Sequence, residues 1–425
     1  MFTNTANNTA NTSPIRNRLV AAAALTVAAT AALAGCSSGG SGGGDTAGQT
    51  LTVMIGSSGE AETAAVEAAT AAWAADNDAT VEVVIASDLN QQLSQGFAGD
   101  AAPDLFYMGW DQFQTYASNG YLDPYATDLA NADGFFPTLV DTFSYDDTFT
   151  CAPKDFSTLG LIVNTDLWAA AGLTEADVPT DWDSLAAVAK TLTTDTQVGL
   201  SFGASYDRVG AFMNQAGGQL VSDDGTTVDA TSAENLAGLE YVAQLHTDGV
   251  LKFPTELDAG WSGEALGAGK AAMVIEGPWI KGIATDFPDT NYAAYELPAG
   301  PGGQSTFSFT NCWGIPQNSD TADAAASLVE FLTSDEEQLD AAAAFGVIPS
   351  TESAATTYAE TYPENASFVD SADYAVSPVN FAGSASALTD FNSKLEGLIN
   401  NEDPKPMLES LQTSLQSTLD EANGQ

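Results

Sequence analysis

Runs of apolar residues alternate with helical patterns along the first part of the chain, after an N-terminal apolar stretch. The run at residues 50–56 is typical of a buried strand, and an alanine-rich segment with helical spacing follows it. Two further apolar runs lie at residues 80–87 and 103–110, with a polar segment between them. Strand and helix therefore alternate, which favours an α/β fold with mostly parallel strands.

Polar side chains follow two of these predicted strands directly. Ser57 to Glu60 come after the first strand, and their spacing also predicts a capping box at the start of a helix. Trp110 and Asp111 come at the end of the third. Ligands of parallel sheets bind outside the carboxyl ends of the strands, so we expect Glu60, Trp110 and Asp111 near a binding site.

The apolar run at residues 271–275 predicts another short buried strand. Glu276, Gly277 and Pro278 end it, and Trp279 follows the break. Elsewhere the pattern predicts helices, one of them capped by Thr180 or Asp181 and others that fill the C-terminal part of the chain. Trp279 is predicted either to pack in the core or to stand at the mouth of a cleft.

The N-terminus has the pattern of a processing signal. Arg16 and Arg18 precede an apolar stretch at residues 19–33, which is of signal-peptide length and short for a membrane span. The sequence "LAGC" ends at Cys36 and resembles the lipobox of bacterial lipoproteins, in which the cysteine carries the lipid. The alternative is an ordinary secretory signal with Cys36 incidental, but the Gly/Ser-rich tether that follows favours an anchored domain.

Charge and cysteine content narrow the function further. Acidic residues outnumber basic ones 57 to 10, for a net charge of −47, and they are spread along the chain. Such a surface repels phosphate backbones and anionic headgroups, so no nucleic-acid partner is expected and anionic ligands are disfavoured. Apart from Cys36, the chain has Cys151 and Cys312, which are either a disulfide or two buried thiols.

Residues for catalysis or metal binding are scarce. His246 is the single histidine and lies in a predicted amphipathic helix, where a structural role is expected. No zinc motif, P-loop, nucleophile elbow, dinucleotide fingerprint or EF-hand loop is present, so neither metal nor cofactor is predicted. A glycosidase needs two carboxylates alone, which leaves a glycan-acting hydrolase as the one catalytic alternative.

Aromatic residues next to short polar ones recur at predicted turns. An aromatic ring stacks on the apolar face of a sugar, while carboxylates and amides bond its hydroxyls. Each such residue taken alone is better explained by core packing, but as a group they indicate a cleft. The positions are Trp110-Asp111, Asp155-Phe156, Trp261-Ser262, Trp279 and Asn380-Phe381.

Five segments in order give the chain a resemblance to a known family. They are "PDLFYMGWDQFQTYASNGYLDPY", "PKDFSTLGLIVNTDLWAAAGL", "FMNQAGGQLVSDDGTTVD", "GKAAMVIEGPW" and "FLTSDEEQLDAAAAFGVIPS". Together with the lipobox they resemble the extracellular solute-binding proteins of ABC importers, in the maltose-type carbohydrate-binding group. The resemblance covers essentially the whole mature chain. One departure is "TNCWGIP", which has Asn-Cys where many members have glycines.

The resemblance implies two α/β lobes joined by three crossovers, with a sugar held between lobes that close by a hinge motion. It implies a signal peptide at residues 1–35 and a tether at 36–49. Lobe one would comprise residues 50–149 with 314–347, and lobe two 153–310 with 350–425. The hinge would lie near residues 150–152, 311–313 and 348–349.

The same resemblance suggests roles for individual residues. Asp111 and Asp155 would accept sugar hydroxyls, and Trp279 would stack on the sugar ring. Asn311 and Trp313 would lie at the second crossover. Because the family places the crossovers side by side, the resemblance also favours a Cys151–Cys312 disulfide.

The implied function is that of a non-catalytic, monomeric, lipid-anchored protein on the outer face of the cell membrane. It would capture a sugar or oligosaccharide and deliver it to the transmembrane subunits of an ABC permease. The alternative remains a secreted glycan-acting hydrolase with a carboxylate pair.

Overall fold

The computed structural model describes residues 46–99, 101–222 and 225–423. The predicted signal peptide, Cys36 and most of the tether lie outside the described residues. The strands are β1 Thr50–Ile55, β2 Thr80–Ile85, β3 Leu105–Gly109, β4 Ser144–Tyr145, β5 Thr148–Phe149, β6 Ala152–Thr158, β7 Gly160–Asn164, β8 Val198–Ser201, β9 Leu251–Lys252, β10 Ala271–Glu276, β11 Tyr292–Tyr295, β12 Thr306–Gly314 and β13 Ala375–Val376. The helices are α1 Glu60–Asp76, α2 Leu89–Ala98, α3 Trp110–Ser118, α4 Pro137–Thr142, α5 Thr165–Ala170, α6 Trp182–Leu192, α7 Tyr206–Gln215, α8 Ala233–Thr247, α9 Ser262–Gly267, α10 Ala322–Leu332, α11 Asp335–Phe345, α12 Glu352–Thr361, α13 Ala366–Asp370, α14 Ser384–Leu395 and α15 Pro404–Ala422.

The first sheet has the strand order β13-β12-β3-β1-β2, and β6 also pairs with β12. Strand β1 is parallel to both β2 and β3, as the alternating pattern predicts, whereas β12 is antiparallel to β3 and β6. Leu51, Val53 and Ile55 of β1 are fully buried because alternate side chains of a strand point to the same face. The strand order reverses at β1, because β2 and β3 lie on opposite sides of it, which places a topological switch point between β1 and β3.

The second sheet has the order β11-β7-β10-β8-β9. Strand β10 is parallel to β8 and antiparallel to β7. Every residue of β10 is buried, so the prediction of a buried strand at this apolar run is confirmed. Met273 and Ile275 join one hydrophobic core and Val274 joins another, so helices cover both faces of this sheet.

Strands β6 and β12 connect the cores of the two sheets. Phe307, near the start of β12, packs in the core of the second sheet, while Trp313, near its end, packs in the core of the first. Ile348 forms an antiparallel bridge with Phe156 of β6, so a third segment runs beside these strands. The lobe boundaries given above remain a prediction, and these three adjacent segments are where that prediction places the hinge.

A disulfide joins the first two of these segments. Cys151 directly precedes β6 and Cys312 lies in β12, with their Cα atoms 5.7 Å apart and 161 positions between them in sequence. Both residues are buried. Next to the bond, the β6–β12 register shifts between Asn311 and Cys312, which bends the ladder at this point.

Two local predictions have different outcomes. The predicted capping box of Ser57 and Glu60 is wrong: Gly59 is the N-cap of α1 and makes no side-chain cap hydrogen bond. The backbone N–H and hydroxyl of Ser58 instead donate to the carboxylate of Glu62, at 2.7 and 2.6 Å. The cap of α6 is Asp181, whose carboxylate accepts from the Ser184 N–H, as predicted.

Within the described residues, no helix is both long and apolar enough to cross a membrane.

Candidate functional site

A cavity of about 310 Å³ lies where strands of the two sheets end. Segments that follow β1, β3 and β10 contribute to its walls, together with β6, β12 and the end of α11. Carboxyl ends of parallel strands are the usual ligand-binding edge of such sheets. The lining residues are Gly56, Ser58, Glu62, Trp110, Lys154, Asp155, Ser157, Trp279, Phe309, Thr310, Asn311, Phe345, Gly346 and Val347.

Trp279 is held at this cavity by the turn that ends β10. Its indole Nε1–H donates to the Glu276 carboxylate at 2.9 Å. The ring lies over Gly277, where a Cβ atom would meet it at 2.3 Å, so only glycine leaves room for the ring. Trp279 keeps 37 % of its surface exposed. The side chain is therefore fixed by neighbours while part of its face stays accessible to a ligand.

Arg208 fixes the same wall from its other side. Its guanidinium lies 5.5 Å from the centre of the Trp279 ring and donates to Glu276 at 2.7 Å. The Phe309 ring packs edge-on against Trp279, at 6.3 Å between ring centres. This combination of cation–π and aromatic contacts makes a rigid aromatic wall.

The opposite wall comes from the end of β3. Strand β3 stops at Gly109, and Trp110 begins α3 and lines the cavity. A Cβ atom on Gly109 would lie 2.5 Å from Oδ1 of Asp111 and 3.5 Å from Oδ1 of Asn311. A carboxylate and an amide therefore converge above this glycine, beside the indole of Trp110.

Asp111 also lies near the carboxylate of Asp207, which is on α7. Burial raises the pKa of Asp207, the adjacent Arg208 lowers it, and the negative charge of Asp111 raises it further. The net direction is upward. Asp111 and Asp207 are therefore close enough to interact, although they lie on α3 and α7 of different predicted lobes.

A buried lysine with two carboxylates forms the floor of the cavity. The Lys154 ammonium lies 3.4 Å from Oε1 of Glu62 and makes a short ion pair with Asp155. It also lies 4.5 Å from the centre of the Tyr107 ring and 5.5 Å from that of Phe345. Because Glu62 is on α1 and Lys154 on β6, this cluster joins the predicted lobe one to the start of the predicted lobe two.

The two carboxylates of this cluster respond differently to their surroundings. Burial works to raise the pKa of Glu62, but the charge of Lys154 and the hydrogen bonds from Ser58 together lower it below its ordinary value. Asp155 is more deeply enclosed, so burial raises its pKa despite the attraction of Lys154. Burial also opposes the charge of Lys154, but Asp155, Tyr107 and Glu62 raise the pKa of the ammonium, which stays charged.

The predicted site residues separate into those that the structure brings together and those that it does not. Trp110, Asp155, Trp279 and Asn311 line the one cavity, and Asp111 lies next to it. These positions are consistent with the predicted roles, which remain predictions.

Six other predicted contact residues do not line this cavity. Phe156 and Trp313 are 1 % and 3 % exposed and pack in hydrophobic cores. Glu60 is exposed at the start of α1, and Glu62 lines the cavity instead. Trp261 folds over Gly263 away from the cavity lining. The remaining two, Asn380 and Phe381, line a different cavity of about 500 Å³.

Five lining or neighbouring residues escaped the sequence analysis: Glu62, Lys154, Arg208, Phe309 and Phe345. A signal for the basic ones was present. Of the ten basic residues, Arg16 and Arg18 precede the predicted mature chain, which leaves eight. No lysine or arginine occurs between Arg18 and Lys154, nor between Lys281 and Lys394. In so acidic a chain, a lone buried cation needs carboxylate partners. Such a buried ion pair favours one arrangement of the side chains that form it.

His246 has the structural role that its helix predicted. Its Nε2 lies 3.1 Å from a carboxylate oxygen of Glu256, and its Nδ1 lies 3.2 Å from the amide oxygen of Asn401. Its ring stacks on Phe253. Among the described residues, no group of three or more histidine, cysteine or acidic side chains has the arrangement of a metal site.

Two α/β sheets, three adjacent connecting segments and a cavity at the strand ends define a two-lobed binding-protein fold. Solved structures of this fold superpose well on the chain. An ABC substrate-binding protein from Listeria monocytogenes, in complex with cycloalternan, matches with a TM-score of 0.76 and 22% identity, over 89% of this chain and 99% of that one. The cyclic α-maltosyl-1,6-maltose binding protein from Arthrobacter globiformis matches with a TM-score of 0.77 and 20% identity, over 88% and 99% of the two chains.

The sequence profile of the bacterial extracellular solute-binding proteins matches residues 68–369, and the chain belongs to that family. A curated relative, the lactose-binding protein of Rhizobium radiobacter, is 27% identical over 237 residues. That alignment covers 52% of this chain and 54% of the relative, so the chain matches about half the length of that protein. The matched family is one of extracellular solute-binding proteins, which favours a binding protein over the glycan-acting hydrolase.

Proposed function

We propose that this protein captures a neutral sugar or oligosaccharide in the cavity between Trp110 and Trp279 and delivers it to an ABC permease. The observation that carries the proposal is the pairing of two accessible indole rings with convergent polar groups at the strand ends. Stacked rings take the apolar faces of a sugar, while Asp111 and Asn311 are placed to accept its hydroxyl protons.

The electrostatics of the cavity support a neutral ligand. Lys154 is already paired with Glu62 and Asp155, and Arg208 is paired with Glu276. Both cations at the cavity therefore have carboxylate partners, and a sugar acid would enter without an unpaired counter-charge. Burying an unpaired charge is costly, so uronic acids and sugar phosphates should bind far more weakly than neutral sugars.

The relatives support the same class of ligand. Those described above bind cycloalternan, cyclic α-maltosyl-1,6-maltose and lactose, according to their names. All three are neutral glycans. Their identities to this chain are too low to transfer a particular sugar, so the proposal extends to the class alone.

The cellular setting is part of the proposal. Cleavage before Cys36 and lipidation of that residue would anchor the chain on the outer face of the cell membrane, with the Gly/Ser-rich residues 36–49 as the tether. The partner would be the transmembrane subunits of the permease, and the protein would act as a monomer without a cofactor. Cys36 lies outside the described residues, so these statements rest on the "LAGC" motif and on the family.

Titration calorimetry tests the proposal. Purified protein is titrated with lactose, maltose, maltotetraose and cyclic α-maltosyl-1,6-maltose, and with galacturonic acid as the anionic comparison. We expect saturable binding of at least one neutral sugar and none of the acid. Chromatography of the recovered sugar should show it unchanged, and appearance of hydrolysis products would contradict a purely binding role.

Two tryptophan variants locate the binding. Trp279→Ala should weaken affinity about tenfold or more, because stacking contributes about 0.5–1.5 kcal/mol beyond the buried area of the ring. Trp261→Ala is the matched control, since Trp261 is 36 % exposed and lies outside the cavity lining. The control should bind as the wild type does. Equal losses in both variants, or a collapse of the melting temperature in Trp279→Ala alone, would remove Trp279 from the site.

A further inference from the structure

A second cavity, of about 500 Å³, lies entirely on the predicted second lobe. It is bounded by helix α7, the glycine-rich segment after it, residues 304–305 and the segment that joins β13 to α14. Tyr206, at the start of α7, lines it, and Arg208, two positions further on, contacts Trp279 in the first cavity. The two cavities are thus separated by the first turn of α7 and have no lining residue in common.

Three polar atoms at this second cavity have no hydrogen-bond partner among the described residues. These atoms are Nδ2 and Oδ1 of Asn380 and the hydroxyl oxygen of Ser305, and each of them is buried. Ser305 as a residue is 6 % exposed. A buried polar atom without a partner costs about 1–3 kcal/mol, so a group that is left in this state needs an explanation. Both residues line the cavity, so a small rotation of each side chain would bring these atoms to a ligand or water there.

The remaining lining resembles a sugar site in its chemistry. Phe381 and Tyr374 provide aromatic faces, and Asn214 and Gln304 provide further amides. No lysine, arginine, aspartate or glutamate is found among the described lining residues. An amide offers both a donor and an acceptor, which matches the hydroxyl groups of a polyol. The described lining residues carry no charge of their own, although Gln304 and Tyr374 both donate to the Glu296 carboxylate.

We infer that this second cavity binds a neutral sugar unit, separately from the cleft that holds the transported ligand. The inference takes only the class of ligand from the proposed function. The unpartnered atoms and the uncharged described lining belong to residues that do not line the first cavity. The Asn380 side chain would donate through Nδ2 and accept through Oδ1, and the Ser305 hydroxyl would donate to or accept from the same sugar. Phe381 would cover one face of the ring.

Site-resolved NMR on the ¹⁵N-labelled protein separates the two sites. The indole N–H of Trp279 reports on the cleft, and the side-chain amide of Asn380 reports on the second cavity. Each signal is assigned by its loss in Trp279→Phe or Asn380→Ala. The probes are lactose and maltotetraose, and the comparison ligand is galacturonic acid.

Saturable shifts of the Asn380 amide with a neutral sugar, and none with the acid, are expected. A response at Trp279 alone would overturn the second site and leave the proposed function intact. A response at Asn380 alone would support the second site and overturn the cleft. Silence at both reporters with both neutral sugars would overturn both proposals and would indicate that water satisfies Asn380 and Ser305.

A variant gives the same site a second test that leaves its reporter, the Asn380 amide, in place. In Ser305→Ala, the sugar concentration that half-saturates the Asn380 shift should rise about fivefold to tenfold, since one hydrogen bond in a buried site is lost. The Trp279 titration in the same sample should not move by more than about twofold. Asn400→Ala, an exposed asparagine of the same predicted lobe, is the matched control and should leave both titrations unchanged. Unchanged half-saturation in a folded Ser305→Ala protein would contradict the inference.

Discussion

The disulfide between Cys151 and Cys312 should contribute a large part of the stability of this fold. The bond closes a loop with a sequence separation of 161. In the chain-entropy account, closing a loop of that length lowers the conformational entropy of the unfolded chain, which stabilises the fold by about 5 kcal/mol. This is an upper value, because a compact unfolded ensemble has less freedom to lose.

The structure indicates that the native fold survives without the bond. Cys312 pairs in register with Met108 and Pro153, so strands β3, β6 and β12 stay joined by their hydrogen bonds. Both cysteines are buried, and Cys→Ala at each leaves a small void. The double variant Cys151→Ala/Cys312→Ala is therefore expected to fold, with a free energy of unfolding lower by about 3–5 kcal/mol.

Urea unfolding, followed by circular dichroism, measures this difference. The double variant should unfold at a lower urea concentration and with a steeper dependence on urea, because its unfolded chain exposes more surface. Reductant should destabilise the wild type and leave the variant unaffected. Sugar affinity should stay within about twofold, since neither cysteine lines the cavity. The reasoning is refuted if wild type and variant unfold at the same urea concentration without reductant.

Three further outcomes follow from the site and the N-terminus. Asp111→Asn should weaken sugar binding by calorimetry about tenfold with little change in melting temperature, because a hydrogen bond to a charged group contributes about 1.5–3 kcal/mol; an unchanged affinity would exclude Asp111 from the site. The lowered pKa of Glu62 means that its contribution to stability is present above the ordinary value of 4.5 and is lost as the pH falls through the lowered folded value. The raised pKa of Asp155 acts in the opposite direction, since its ionisation costs stability as the pH rises past 3.8. The two effects overlap in the wild type, so the contribution of Glu62 is measured as the difference in unfolding free energy between wild type and Glu62→Gln, by urea unfolding from pH 7 to pH 3. That difference should shrink below about pH 4.5, and a difference that does not depend on pH would show that Glu62 is not ionised in the fold. Cys36→Ala should move the protein from the membrane fraction to the medium, and a variant that stays in the membrane fraction would contradict the lipid anchor.

The strands at the cavity could be predicted because their signals are local. The run that became β10 is apolar at every position and ends in Gly277 and Pro278, so both the strand and the place of Trp279 follow from neighbouring residues. Trp110 was placed by the same logic at the end of β3. Such predictions depend on a few consecutive residues, which a sequence displays directly.

The residues that were missed or misplaced depend on contacts between distant segments. Lys154 meets Glu62, which lies 92 positions away, and no short pattern reveals that pair. Phe156 and Trp313 sit next to polar residues as a cleft aromatic would, yet on a strand adjacent side chains point to opposite faces. Their burial is decided by which face the core occupies, and that is fixed by strand pairing rather than by composition.

The uneven distribution of basic residues makes the protein convenient for labelling. Trypsin cleaves after lysine and arginine, and residues 19–153 and 282–393 contain neither, so each stretch would emerge as one long peptide. The bond between Cys151 and Cys312 would hold these peptides together until a reductant is added. All seven lysines fall in the predicted second lobe, so amine-reactive dyes would attach to side chains there and not within residues 50–149 or 314–347. Lys281 lies beside Gly346 at the end of α11, so it is a labelled position next to the predicted first lobe.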